Sequence, residues 1–311
     1  MMRKKMIMVL FSIIVLVSVA MLTFANKSID KKMSAGNKIA VVYVDGTITG
    51  GHGASGLLSE SGGTDSLIKQ LHEASDDASI KGIVLRINSP GGSSTATEEV
   101  GEEIKKIRAK GKPVVTSMGD MAASGGYWLA ACTDKIYANP TTLTGSIGVY
   151  MPYSNWEELY KKIGIRQEKI KSGVHKDILS NDRPMTEEER VILQTMVDEI
   201  YQGFVEVVAE GRHLDIETVK KIADGRVYTG KQAKELGLVD EMGNLYDAID
   251  GTAQMVGIHG KPKIKEYGKN NPFSMLMSSS DKAELLKTLL LNVPAENDVK
   301  SVVPMAIPEK W

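Results

Sequence analysis

The stretch Gly82-Ile83-Val84-Leu85-Arg86-Ile87, then Asn88-Ser89-Pro90-Gly91-Gly92, then Ala96 to Arg108 reads as a buried strand, a tight turn and a helix in succession. The apolar run is continuous rather than alternating, which marks a strand covered on both faces. Proline and two glycines then stop it. The same rhythm recurs downstream. Pro113-Val114-Val115-Thr116-Ser117-Met118 is a strand, and Ala122-Ala123-Ser124-Gly125-Gly126 opens a helix. Lys135 to Ala138 and Ile147 to Tyr150 read as further strands. Upstream, Lys38-Ile39-Ala40-Val41-Val42-Tyr43-Val44-Asp45 is the first strand, with helical spacing at Leu67, Leu71 and Ala74. Strands alternating with helices at this spacing predict an α/β fold.

Further on, Thr186 with Glu189 three residues later forms a capping-box pattern at the head of a long amphipathic helix over 186–211. Shorter helices are expected at 215–224 and 231–236. Past residue 268 the α/β pattern gives way to Asn270, Asn271, Pro272, three consecutive serines and one helical stretch over 282–291. The expected organisation is an anchor and tether over 1–36, a catalytic body over 37–268 and a tail over 269–311.

The anchor is read from charge and length. Arg3, Lys4 and Lys5 precede an uncharged run from Met6 to Ala25. Twenty helical residues span about 30 Å, the hydrocarbon thickness of a bilayer. That is longer than the core of a cleaved signal peptide, and Thr23-Phe24-Ala25 is a poor cleavage site. An uncleaved transmembrane helix is expected, with its basic end inside and the body outside. Among 311 residues the net charge is −1, which gives no basic stripe for nucleic acid. The one cysteine, Cys132, sits in the apolar run Trp128-Leu129-Ala130-Ala131 and reads as a small buried residue; a lone thiol leaves the fold without internal disulfides.

Ser124 carries the strongest chemical signal. Small neighbours admit a substrate backbone, and a helix N-terminus supplies unpaired N–H groups and a positive dipole end. An N-cap serine in a packed turn would look the same in this segment alone. Pro90-Gly91-Gly92 also links a strand to a helix, so Gly92 is a candidate second oxyanion donor beside Gly125. A serine needs a base. None of the five histidines stands in a Ser-His-Asp pattern, and G-x-S-x-G is absent around Ser124. A neutral lysine is the other option. Lys171-Ser172-Gly173-Val174-His175-Lys176-Asp177 follows an expected strand over Gln167–Ile170. The residues leave the choice among His175, Lys176 and Lys171 open.

Four motifs occur together and in order: Asn88 to Gly92, Met121 to Tyr127, Leu143-Thr144-Gly145-Ser146-Ile147-Gly148, and Lys171 to Asp177. Asp224-Gly225-Arg226-Val227-Tyr228 and Gly237-Leu238-Val239-Asp240 agree with them. Over residues 38–250 the chain resembles the short, single-unit bacterial form of the signal peptide peptidase A family. The resemblance implies a Clp protease/crotonase-like fold, a repeated ββα superhelix, here preceded by one N-terminal transmembrane helix. It also implies a Ser–Lys dyad: Ser124 as nucleophile, Lys176 as general base, Gly92 and Gly125 as oxyanion donors, and Ser146 as the hydroxyl that orients the lysine. No cofactor or metal is implied. The implied substrates are remnant signal peptides, and the implied assembly is a ring-like homo-oligomer that allows serine and lysine to come from adjacent subunits. Met118, Met121 and Val149 are candidates either for an apolar substrate pocket or for the core.

Three rivals are weaker. Ser28-Ile29-Asp30-Lys31 and Ser279-Ser280-Asp281-Lys282 match the S-x-x-K of penicillin-binding acyl transferases, and Lys171-Ser172-Gly173 imitates their third motif. Both S-x-x-K copies, however, fall outside the α/β body. A non-enzymatic scaffold would be expected to lose the nucleophile or the base. A crotonase-type CoA enzyme would have no use for an anchor or a Ser–Lys pair.

Overall fold

The computed structural model describes residues 38–51 and 63–268. The expected anchor at 6–25, the tether, both S-x-x-K copies and the tail at 269–311 therefore lie outside the described residues. Among the described residues no helix is long and apolar enough to cross a membrane.

An eight-stranded sheet forms the centre. Its main path runs β6 (Val227–Thr229), β5 (Leu143–Gly145), β3 (Val114–Ala123), β2 (Ile80–Ser89), β1 (Lys38–Asp45) and β8 (Lys263–Tyr267). β4 (Lys135–Ala138) pairs with the first half of β3, and β7 (Glu241–Met242) pairs with β4. Every pairing is parallel except β5 with β6.

The continuous apolar runs follow from burial on both faces. In β1, Ala40, Val42 and Val44 pack into the larger core, while Ile39 and Val41 face a smaller one. The larger core is closed by α1 (Thr64–Asp76), α2 (Ser94–Ala109), α3 (Gly125–Ala131) and the long α5 (Glu187–Arg212). The smaller is closed by α8 (Leu245–Met255). α6 (Ile216–Ile222) and α7 (Gly230–Glu235) add Val219 and Ala233 to the larger core, while α4 (Glu157–Lys162) buries no residue. This mixed α/β body fits the Clp-protease-like fold that the resemblance implies. Cys132 is buried in the larger core, as its apolar neighbours suggest, and burial pushes its thiol up to about 12.

Two expected strands do not form. Ile147 to Tyr150 lacks strand pairing because Ser146 adopts φ 49° just before it and turns the chain out of the ladder. Gln167 to Ile170 is likewise irregular. It lies on an exposed arm beside no other strand, so its backbone has no ladder to join. α8 and β8 were not singled out from the sequence. α8 is announced by a capping box of Asn244 and Asp247, whereas β8 is mostly exposed and reads as polar.

Candidate active site

The parallel strands β2 and β3 end side by side, β2 leading through the turn at 90–93 into α2 and β3 through Ser124 alone into α3. At the end of β2 the ladder shifts register between Ile87 and Ser89, and the Asn88 Oδ1 accepts the Met121 N–H of β3 at 3.2 Å. The buried Ser89 Oγ accepts the Gly91 N–H at 3.1 Å, fixing the turn. Gly91 has φ +95°, and a Cβ there would lie 2.6 Å from the Gly125 nitrogen and 2.8 Å from the Ser124 Cβ. Only glycine lets the two turns close on each other.

Ile48 bridges Gly92 in parallel. Its N–H donates to the Gly91 carbonyl at 2.9 Å, and its carbonyl accepts the Ser93 N–H at 2.9 Å. In such a ladder the middle residue's own amide faces the opposite side, so Gly92 N–H points away from Ile48. That side holds Gly125, whose Cβ position would be 3.4 Å from the Gly92 nitrogen. Gly125 is the first residue of α3, so its amide has no intrahelical acceptor. Two amides without backbone acceptors thus lie close together, an arrangement that could serve an oxyanion.

Ser124 links β3 to α3 with φ 53° and ψ −123°, a sparsely populated conformation for a residue with a side chain. Three bonds hold it there. Its N–H donates to the Gly145 carbonyl at 2.8 Å, and its carbonyl accepts from Tyr127 at 2.8 Å and Trp128 at 2.9 Å. With the backbone fully engaged, the hydroxyl is left to the cleft. Ser146, at φ 49°, lines the same cleft, its amide donating to the Arg226 carbonyl at 2.8 Å.

The cleft has a volume of about 580 Å³, with Ser124, Gly92, Ser146 and Val149 on one side and Val197 and Tyr201 of α5 on another. A much smaller cavity of about 20 Å³ opens beside Ser124, between Thr97, Trp128, Val149 and Phe204. Trp128 and Phe204 stack at 4.9 Å between ring centres to close its floor. Of the three candidate apolar liners, Val149 lines both spaces and Met118 is fully buried core; Met121 lines neither.

The structure therefore gathers Ser124, Gly92, Gly125 and Ser146, but it does not bring Lys176 to them. Lys176 is exposed on the arm and lines neither space. The other two candidates, Lys171 and His175, and their neighbour Lys169 each lie beside a carboxylate. Lys171 Nζ sits 2.7 Å from Asp177, Lys169 pairs with Asp182, and His175 lies 3.5 Å from Glu188. Among the described residues no carboxylate pairs with the Lys176 amine. The arm and the first half of α5 also expose Trp156, Leu159, Ile163, Ile170, Val174 and Val191, with Val174 at 72% exposure.

A family model described as peptidase family S49 matches residues 106–259, from the last turn of α2 to just before β8. A putative protease of Methanocaldococcus jannaschii is 38% identical over 275 residues, covering 86% of this chain and 87% of its own length. The chain belongs to peptidase family S49. Within that family it is a serine peptidase of the signal peptide peptidase A type. Protease 4 of Haemophilus influenzae is 38% identical over 82% of this chain, which spans only 40% of that longer protein. The putative signal peptide peptidase SppA of Enterococcus faecium is 40% identical over 70% of this chain and 63% of its own length.

Proposed function

We propose that this S49 peptidase is a membrane-anchored serine endopeptidase that degrades signal peptides after their release from preproteins. The observation that carries this reading is the strained Ser124, its backbone held by three hydrogen bonds, facing two convergent amides in a cleft. In the proposed reaction the neutral Lys176 amine takes the Ser124 Oγ proton as the oxygen attacks the peptide carbonyl carbon. The tetrahedral oxyanion accepts hydrogen bonds from Gly92 and Gly125, each worth about 3–4 kcal/mol in the transition state. Collapse breaks the C–N bond, and the Lys176 ammonium returns its proton to the leaving amine. A water molecule then hydrolyses the acyl-enzyme by the same route, with Ser146 orienting the amine.

Lys176 is preferred over its neighbours because the family resemblance matches it to the general base, and the pairing around it supports that choice. A base must be free to reach the serine, and Lys169 and Lys171 are held in ion pairs with Asp182 and Asp177, whereas no carboxylate among the described residues pairs with the Lys176 amine. Because Lys176 lies away from Ser124 in its own chain, we assign the base to the arm of an adjacent copy in a ring-like homo-oligomer. The apolar side chains on that arm support it, since a large exposed apolar surface marks a contact site. The Met6–Ala25 segment supplies the anchor. It would hold the body on the outer face of the cytoplasmic membrane, beside bilayer-derived peptides. The narrow cavity at Ser124 suits a small side chain next to the cleaved bond.

The test is digestion of a defined set of synthetic signal peptides by the full-length protein, with products read by mass spectrometry. Fluorophosphonate labelling run alongside should modify Ser124. Cleavage within the apolar segments, abolished in Ser124→Ala, is the expected result. Intact peptides, or equal cleavage by Ser124→Ala, would overturn the proposal.

A further inference from the structure

From Ile163 to Thr186 the arm has neither helix nor strand, yet it carries the proposed base. Short turn bonds shape it locally. Lys176 N–H donates to the Gly173 carbonyl at 3.2 Å, Ile178 N–H to His175 at 3.1 Å, and Ser180 N–H to Asp177 at 3.0 Å. Such turns do not fix where the segment sits relative to the rest of the molecule. An ionic cluster does.

Asp177, the residue after Lys176, is nearly enclosed. Its Oδ1 accepts from Lys171 Nζ at 2.7 Å and from Arg183 Nη2 at 2.9 Å, and its Oδ2 accepts from Arg183 Nε at 3.1 Å. The same guanidinium reaches the other way, donating through Nη1 to Glu189 Oε2 at 2.8 Å and through Nη2 to Glu189 Oε1 at 2.5 Å. Glu189 is 2% exposed and closes the capping box of α5, accepting the Thr186 N–H at 3.0 Å. α5 in turn packs on α3, with Phe204 against Trp128, and α3 begins beside Ser124. The incoming limb is tied to the same point, through the Tyr153 hydroxyl on the Arg183 carbonyl at 2.5 Å and Trp156 N–H on Asn181 at 2.6 Å.

We propose that Arg183 is a positioning residue for Lys176, clamping Asp177 to the N-terminus of α5 so that the Lys176 amine is presented in one place. The proposal rests on Lys176 being the base. Exposed ion pairs ordinarily contribute little. Here both carboxylates are largely enclosed, and one planar fork bridges them, which a lysine ammonium does poorly. The charged groups around the clamp are Lys169, Lys171 and Asp182 beside Asp177, and Glu188 and His175 near Glu189. Arg183 holds Glu189 down to about 2 and, with Lys171, keeps the Asp177 carboxyl well below the usual carboxylate range. The clamp therefore stays charged from pH 5 upward, and any activity limb in that range belongs to another group.

The test compares Arg183→Gln, Arg183→Lys and Asp177→Asn with Lys176→Ala in the full-length protein, with assembly mass checked by light scattering. A misplaced base lowers turnover without disturbing the cleft, so Arg183→Gln and Asp177→Asn should lose about 10- to 100-fold in kcat with KM changed less than about 2-fold. Arg183→Lys should recover part of the loss, and Arg183→Gln should cost nothing further once Lys176 is Ala. Wild-type kcat in both Arg183→Gln and Asp177→Asn, with Lys176→Ala inactive, would overturn the clamp and leave the dyad standing. A rise in KM alone, or a loss traced to dissociation of the assembly, would also overturn the clamp. Full activity in Lys176→Ala would remove the base assignment itself.

Discussion

The end of β3 and the arm after β5 make opposite uses of structure. Around Ser124 everything is internal. The strand is mostly buried, the nucleophile's backbone spends its polar groups on Gly145, Tyr127 and Trp128, and three glycines allow the two turns to meet. Around Lys176 almost nothing is internal. The backbone has no ladder, the apolar side chains face outward, and the shape depends on carboxylates holding cations. One region is complete in a single chain and the other is not. Under the proposed mechanism, this difference would make nucleophile geometry a property of the fold and base geometry a property of the assembly.

The largest expected effect is on chemistry. Ser124→Ala and Lys176→Ala should each abolish peptide hydrolysis, with the double variant no worse, because residues acting as a unit are strongly non-additive. Single-turnover assays check this; retention of turnover in Lys176→Ala with loss in His175→Ala would move the base. Next comes specificity. Phe204→Ala removes one floor of the 20 Å³ cavity, so peptides with larger residues before the cleaved bond should gain about 10-fold or more in kcat/KM relative to alanine. Unchanged selectivity would mean that the cavity does not receive that residue.

A smaller effect concerns pH. A lysine base acts only when deprotonated, so kcat/KM should rise with an apparent pKa well above the roughly 6.5 of histidine. A profile flat from pH 6 to 9, with chemistry rate-limiting, would contradict this. Ser89→Ala should be milder. It frees the Gly91 amide inside the turn and should lower stability by about 1–3 kcal/mol, read as a drop in Tm. The smallest effect is at Cys132, whose buried thiol should resist alkylation until the protein unfolds.

The same contrast explains what was legible in the sequence. β1, β2 and β3 announced themselves because burial on both faces demands continuous apolar runs, and α5 because Thr186 and Glu189 spell its cap. Ser124, Gly92 and Gly125 were nameable because small residues at strand ends leave a pattern, whereas Ser146 was named only through the family resemblance. That pattern did not reveal the positive φ of Ser124 and Ser146, which depends on partners distant in sequence such as Gly145 and Arg226. On the arm the residues left Lys171, His175 and Lys176 equivalent; the family resemblance singled out Lys176, and the structure adds that Lys171 and His175 lie beside Asp177 and Glu188. Arg183 and Glu189 could have been suspected as a charge pair, but no spacing rule links either to Asp177.

The most direct test of this division of labour is to mix the two inactive proteins. In Ser124→Ala the arm still offers Lys176, and in Lys176→Ala the cleft still offers Ser124. If the dyad forms between adjacent copies, co-assembling them at equal amounts should restore about a quarter of the wild-type sites, as random head-to-tail neighbours require. Peptide hydrolysis that appears only on co-assembly is the predicted result. A mixed assembly, verified by tags on each protein, that stays as inactive as its parts would contradict the account.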